Sequence, residues 1–237
     1  MLLLALDTCD SRGSIALLRG EEVLGELGHP ASEDYSTWLL PAVDNLLSKN
    51  NLSHSDLAGY AVASGPGSFT GVRVGLTTAK AWSEVYSKPI YPVSRLQILS
   101  DLAPAIADYA ATFIDAQRNQ IFAALYRRSA EGWQNVIEES VISPLDFFGS
   151  CLSRAGDSRL SWISLDPRIL AETPIWRTLK ASQREVVKVE PPLAAAVGRF
   201  SLKRPSTSTR QVDALTLDAN YVRRSDAEIF GKKAANS

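Results

Sequence analysis

Three short stretches carry residue types that handle phosphate. Leu2 to Leu6 reads as a strand, and Asp7 and Thr8 stand at its C-terminal tip, where α/β folds present ligand-facing groups. Tyr60 to Ala63 reads as a buried strand running into Ser64-Gly65-Pro66-Gly67-Ser68, a turn nearly free of side chains. A helix follows from Phe69, so the turn aims backbone N–H groups at whatever sits above it. Ala111 to Ile114 is a further strand, and it ends in Asp115. The first two features have two readings at this level. Asp7 either faces a ligand or accepts backbone N–H bonds and caps its own turn. The glycine turn either cradles a phosphate or is glycine-rich because strand and helix pack closely. It is not a Walker sequence, since Lys80 lies three turns into the helix, and Gly65, Gly67 and Gly71, at intervals of two and four, miss the dinucleotide spacing.

Other chemistry is sparse. His29 and His54 are the only histidines of the 237 residues and have no partner at helical spacing, which argues against a histidine metal site. Cys9 and Cys151 form neither a disulfide framework nor a zinc pattern, as expected of a reducing cytosol. The net charge of −1 gives no broad basic field for nucleic acid or an anionic membrane. The opening Met1-Leu2-Leu3-Leu4-Ala5-Leu6 reads as a strand and not as a signal peptide, because it lacks a basic start and meets Asp7 at once. No apolar run approaches the roughly twenty residues that span a bilayer.

The elements that must position these residues follow from periodicity. Leu2 to Leu6, Ser14 to Leu18 and Val23 to Leu27 form a meander. Ser32 to Lys49 reads as a helix with Ser32 as N-cap and Pro41 as an interruption. Its apolar residues fall in two sets: Tyr35, Trp38, Leu39, Ala42 and Leu46, and Leu40, Val43 and Leu47. Together they cover about twice the ~100° stripe that packing on one neighbour needs. In the helix after the glycine turn, Val72, Leu76, Ala79, Trp82 and Tyr86 recur at spacings of three and four, and Gly75, Ala79 and Ser83 form a small-residue ridge. The expectation is that this helix pair carries more apolar surface than its own lobe can cover, so that a second polypeptide completes the packing; filling of the ridge by the first helix is the alternative. After the strand Ile90 to Val93 comes a helix or helix pair, Leu96 to Tyr109, broken at Pro104. The opening pattern then restarts: a strand ending in Asp115, then strands Gln120 to Arg127 and Gln134 to Val141. A helix at Leu145 to Leu152, strands at Trp162 to Leu165 and Val186 to Val189, a helix at Leu193 to Leu202, a loop at Lys203 to Arg210, an ordered segment at Val212 to Val222 and a loose tail from Gly231 complete the reading.

The segments LLLALDT, SGPGSFTGVRVG, IDAQRNQIFAALY and DANYVRR resemble the TsaB (YeaZ) family, bacterial proteins that take part in making threonylcarbamoyl-adenosine beside the tRNA anticodon. The resemblance spans most of the chain, residues 130 to 205 only in outline. It implies an α/β, duplicated actin-like fold of two ribonuclease-H-like lobes, at 1–98 and 99–211, with a C-terminal segment at 212–237. It also implies a non-catalytic scaffold that pairs through its first-lobe helices with a TsaD-like catalytic subunit, is joined by a TsaE-like ATPase, forms a homodimer when alone, meets tRNA only indirectly and touches no membrane. On that basis Tyr35, Trp38, Leu39, Ala42, Val72, Gly75, Leu76, Ala79, Trp82 and Ser83 would contact the partner. Asp7, Thr8, Gly65, Gly67, Ser68 and Asp115 would be remnants of a phosphate cradle. No cofactor or metal is expected on this chain, with a nucleotide at the interface of the complex left open. Tyr35 and Leu39 stand where the catalytic relative has its metal-binding histidine pair, and Tyr35 replaces a histidine usual in the family. The alternative is an ATP-dependent phosphotransferase with Asp7 and Asp115 around Mg²⁺; a metallopeptidase is a third reading, disfavoured by the missing histidine pair.

Overall fold

The structure is a computed structural model that describes residues 1–203. The segment Val212 to Val222, the DANYVRR motif and the tail from Gly231 lie outside the described residues.

β1 (Leu2–Asp7) is apolar at successive positions because both of its faces are covered, and every residue from Leu3 to Asp7 is buried. It pairs antiparallel with β2 (Ser14–Arg19), which pairs antiparallel with β3 (Glu22–Gly28). On its other side β1 runs parallel to β4 (Gly59–Ala63), and β4 parallel to β5 (Ile90–Val93). The order is β3-β2-β1-β4-β5. β6 (Tyr109–Asp115), β7 (Ile121–Ser129), β8 (Gly132–Ile142), β9 (Leu160–Ser164) and β10 (Glu185–Lys188) repeat the scheme in the order β10-β9-β6-β7-β8, with β6 antiparallel to β7 and parallel to β9. Two mixed sheets of identical order and polarity are the duplicated, two-lobed α/β arrangement expected from the actin-like resemblance.

Helix α1 (Tyr35–Lys49) packs on β2 and β3, and α2 (Phe69–Tyr86) on β4, β1 and β5. The remaining α-helices among the described residues are α3 (Arg95–Asp101), α4 (Pro144–Ala155), α5 (Arg168–Ala171) and α6 (Ala194–Lys203). Among the described residues, 1–102 and 189–203 form one unit and 103–188 the other. This differs from the division expected at 98/99, and α6, expected in the second lobe, belongs to the first. Gly198 of α6 lies against Leu18 and Ala5, whereas Gly75 of α2 lies against Val62, the partner of Leu6 across the β1–β4 ladder. Neighbouring residues of a strand point to opposite faces, so α6 and α2 sandwich the first sheet. The start of α6 is tied down by Glu26 of β3, whose Oε1 accepts a hydrogen bond (2.9 Å) from the Ala195 backbone N–H.

Two further expectations are corrected. α1 begins at Tyr35 with Asp34 as N-cap, not at Ser32, and Pro41 sits inside it. The stretch expected as a helix from Leu96 to Tyr109 is helical only to Asp101, with β6 beginning at Tyr109.

The surplus of apolar surface is also corrected. Trp38, Leu39, Ala42, Val43, Leu46 and Leu47 of α1 and Val72, Gly75, Leu76 and Ala79 of α2 are all buried within this chain. Most of both arcs is used internally, Leu40 excepted, because each helix meets its sheet on one flank and a turn or loop on the other. Leu46 fits over Gly25 of β3, Tyr35 reaches the β1–β2 turn, and Trp82 packs beside His54 and Tyr60. What the pair leaves outside is a different stripe: Phe69, Arg73, Thr77, Ala81 and Val85, four residues apart along α2, are all exposed, as are Thr37, Leu40, Pro41 and Asp44 on α1.

Candidate functional site

The tip of β1 organises the first unit. Asp7 ends the strand fully buried, and its Oδ1 accepts the Cys9 backbone N–H at 3.0 Å, as the turn-capping reading expects. Its Oδ2 lies 3.2 Å from Nε of Arg95, the first residue of α3. The same guanidinium donates from Nη2 to Asp10 Oδ2 at 2.8 Å, while Asp10 Oδ1 accepts the Arg12 backbone N–H at 2.8 Å. Arg95 is 1% exposed, and neither its Nε nor its Nη1 has a hydrogen-bond partner, so Asp7 holds it as an ion pair only. Burial opposes the charge of Arg95, yet Asp7 and Asp10 outweigh it and raise its pKa above the usual arginine value. For Asp10, burial pushes upward and Arg95 overrides it, so the carboxyl titrates below its ordinary range.

Arg95 escaped the sequence reading. The available signal was its place at the start of a helix behind the N-cap Ser94, where the helix dipole disfavours a cation. Such a residue needs anions nearby, but the two that serve it precede it by more than eighty residues.

The glycine turn closes directly on the same tip. Cys9 O accepts the Ser68 N–H at 2.6 Å, and Thr8 Oγ1 donates to Gly71 O at 2.6 Å. A Cβ on Gly67 would stand 2.3 Å from Cys9 O, and one on Gly71 would stand 2.1 Å from Thr8 O. Both contacts are with backbone, so glycine is required here for close approach. Ser68 caps α2 by accepting the Gly71 N–H, and Gly65 O accepts the Arg95 N–H at 2.7 Å. The packing reading of the turn therefore describes what these glycines do, and the donors that would greet a phosphate at Ser68 and Gly71 are already engaged.

Tyr35 completes the turn from the side of α1. Its hydroxyl donates to Asp10 O and accepts the Gly13 N–H at 2.9 Å, and its ring stacks on His29 at 4.0 Å. Leu39, the second position of the expected histidine pair, is a buried core side chain. Neither residue is a metal ligand here, and among the described residues no group of three or more His, Cys, Asp or Glu could hold a metal ion. Burial raises the pKa of the Cys9 thiol well above its ordinary value, which favours the neutral thiol.

In the second unit, Asp115 ends β6 and is exposed. Its carboxylate accepts both the backbone N–H (2.8 Å) and the side-chain amide (2.9 Å) of Gln117. Gln117, Arg118 and Asn119 then all take left-handed backbone angles, with φ of 63°, 56° and 58°. Asp115 thus caps its own turn. The magnesium nucleotide that an actin-like fold implies does not fit the first unit's residues, because Asp7 already carries a guanidinium and the turn beside it is packed on backbone.

Comparison with known proteins places this architecture. Residues 27–158 match the family described as "TsaD: tRNA N6-adenosine threonylcarbamoyltransferase". A "tRNA threonylcarbamoyladenosine biosynthesis protein TsaB" from Bacillus subtilis is 34% identical over 142 residues, 60% of each chain. The protein of the same name from Haemophilus influenzae is 32% identical over 155 residues, 61% of this chain and 65% of its own. The matched part thus spans less than two thirds of these relatives' length. A solved structure described as "YeaZ from Pseudomonas aeruginosa" superposes with a TM-score of 0.70 at 23% identity, covering 91% of this chain and 96% of that one. A second from the same organism, described as an uncharacterized protein with similarity to peptidase YEAZ, has a TM-score of 0.73 at 22% identity, covering 94% and 99%. At these identities the structures establish the fold.

Proposed function

We propose a role that starts from one premise: this chain belongs to the TsaD family, as one of its TsaB/YeaZ members. It serves threonylcarbamoylation of the adenosine beside the tRNA anticodon as a non-catalytic subunit that pairs with a TsaD-like transferase. The observation that carries the non-catalytic part is the self-filled tip of β1, with Arg95 between Asp7 and Asp10 and the glycine turn packed on Thr8 and Cys9. Tyr35 and Leu39, engaged in a turn and a core, support the same reading.

The pairing surface in this proposal is the outward stripe of α2, Phe69, Arg73, Thr77, Ala81 and Val85, together with Leu40 and Pro41 of α1. Val85 is 72% and Leu40 52% exposed, large values for aliphatic side chains on ordered helices. Trp38, Leu39, Ala42, Val72, Gly75, Leu76 and Ala79 act behind this surface by fixing the helices to the sheet. Tyr35, Trp82 and Ser83, half-buried, border it. The same stripe pairs two copies when the transferase is absent, and a TsaE-like ATPase joins the assembled pair. Sedimentation velocity of the chain mixed with its cognate TsaD-like protein tests the pairing. A new, faster boundary containing both proteins is expected; two independent boundaries at micromolar concentration reject it.

A further inference from the structure

We propose that Arg95 does the work of a divalent cation: its guanidinium fills the space between Asp7 and Asp10 and closes the end of β1 to a metal-bound nucleotide. The inference rests on the tip of β1, which also supports the non-catalytic reading, so its failure would remove that support and leave the proposed pairing untouched.

The two carboxylates share a pattern of one backbone bond and one guanidinium contact, although only Asp10 is hydrogen-bonded to Arg95. Each gives Oδ1 to a backbone N–H, of Cys9 or Arg12, and turns Oδ2 to Arg95, at 3.2 Å for Asp7 and 2.8 Å for Asp10. Two anions that share one site cannot both stay ionised unless a cation stands with them. A magnesium ion meets that need with one or two carboxylates and several retained waters. A guanidinium meets it with its delocalised charge, here hydrogen-bonded to Asp10 Oδ2 and ion-paired with Asp7 Oδ2.

Arg95 serves this cluster by its charge. Its position at the first turn of α3 is electrostatically unfavourable, and its Nε and Nη1 find no hydrogen-bond acceptor. The gain that offsets both is neutralisation of Asp7 and Asp10. Without the guanidinium, the two Oδ2 atoms would lose their shared counter-charge, Asp7 buried and Asp10 26% exposed, with their partner oxygens held in place by backbone. That is a two-carboxylate cation site built of the chain's own residues.

The test uses the full chain, Mn²⁺ as probe, thermal unfolding, and the electron paramagnetic resonance signal of free Mn²⁺. The wild type is expected to leave Mn²⁺ free and to unfold at the same temperature with or without Mn²⁺ or Mg-ATP. Arg95→Met is expected to lower Tm by about 10 °C or more, since an uncompensated buried charge remains. It is also expected to take up one Mn²⁺ and regain part of that loss. The double variant Arg95→Met/Asp7→Asn is expected to regain stability without metal and to leave Mn²⁺ free. Three results overturn the proposal: wild-type binding of Mn²⁺ or Mg-ATP that Asp10→Asn abolishes, a folded Arg95→Met protein that ignores Mn²⁺, or a double variant no more stable than the single. Should Arg95→Met not fold, the double variant decides, and its failure to fold also counts against the proposal.

Discussion

Ser14 caps helix α6 from 180 residues away in sequence: its Oγ accepts the Ala194 backbone N–H at 2.9 Å and that of Leu193 at 3.2 Å. The first helical turn has no internal acceptors for its N–H groups, and these two are satisfied by a strand of the opposite end of the chain. Ser14 and the donors it serves are buried. Ser14→Ala is expected to cost about 1–3 kcal/mol, because two buried donors lose their acceptor. Urea unfolding of the full chain measures it; a change under a few tenths would show that water replaces the hydroxyl.

Gly71 separates packing from phosphate binding. Its Cβ would meet Thr8 O, a backbone atom that cannot swing away. Gly71→Ala is therefore expected to lose about 1–3 kcal/mol of stability, as overpacking does, and to lose it equally in the presence of Mg-ATP. A variant of wild-type stability that had lost nucleotide binding would reverse the assignment.

The pH dependence of the Arg95 cluster has a fixed sign. Asp10 is held below its ordinary value of 3.8, burial being outweighed by Arg95. A depressed carboxylate contributes stability that is complete above its unfolded pKa and fades as pH falls through the folded one. The stability gap between wild type and Asp10→Asn should accordingly be flat near neutrality and shrink below about pH 3.8. Urea midpoints for both proteins between pH 2.5 and 7 give the comparison; a gap that widened on acidification would contradict the ion pair.

Two alanines one helical half-turn apart should behave oppositely. Ala79 is 0% exposed, so Ala79→Arg buries an unpaired charge and is expected to unfold the chain. Ala81 is exposed, so Ala81→Arg should change stability by no more than about 0.5 kcal/mol. Val85→Arg should match it. Circular dichroism melting of the three variants checks this, and a stable Ala79→Arg protein would mean that the ridge faces outward after all.

How much of this was legible depends on the range of the interaction. The glycine turn and α2 are local, and the boundaries Phe69 and Tyr86 follow from periodicity; the Ser68 cap, seen only in the structure, agrees with them. The duplication was visible because Asp7 and Asp115 end equivalent strands before polar turns. The two wide apolar arcs were also read correctly, but not what covers them. Periodicity reports how much of a helix is apolar; it cannot distinguish a partner from the loops and strands of the same chain, and here His54, Tyr60 and Gly25 supply the cover. α6 was misplaced because its sequence neighbours lie in the second unit while its contacts, Ser14, Leu18 and Glu26, lie in the first. Arg95 was missed for the same reason, its anions being far upstream.

In the role proposed above, this chain assists a transferase and does not itself perform transfer. The most direct measurement is threonylcarbamoyl-adenosine formed on tRNA in a mixture with the cognate TsaD-like and TsaE-like proteins, comparing reactions with wild type, with Val85→Arg and without this chain. Product is expected with wild type, with a loss of about tenfold or more for Val85→Arg if that side chain lies in a buried interface core. Equal product in all three reactions, or product from this chain with the TsaD-like protein left out, would contradict the claim.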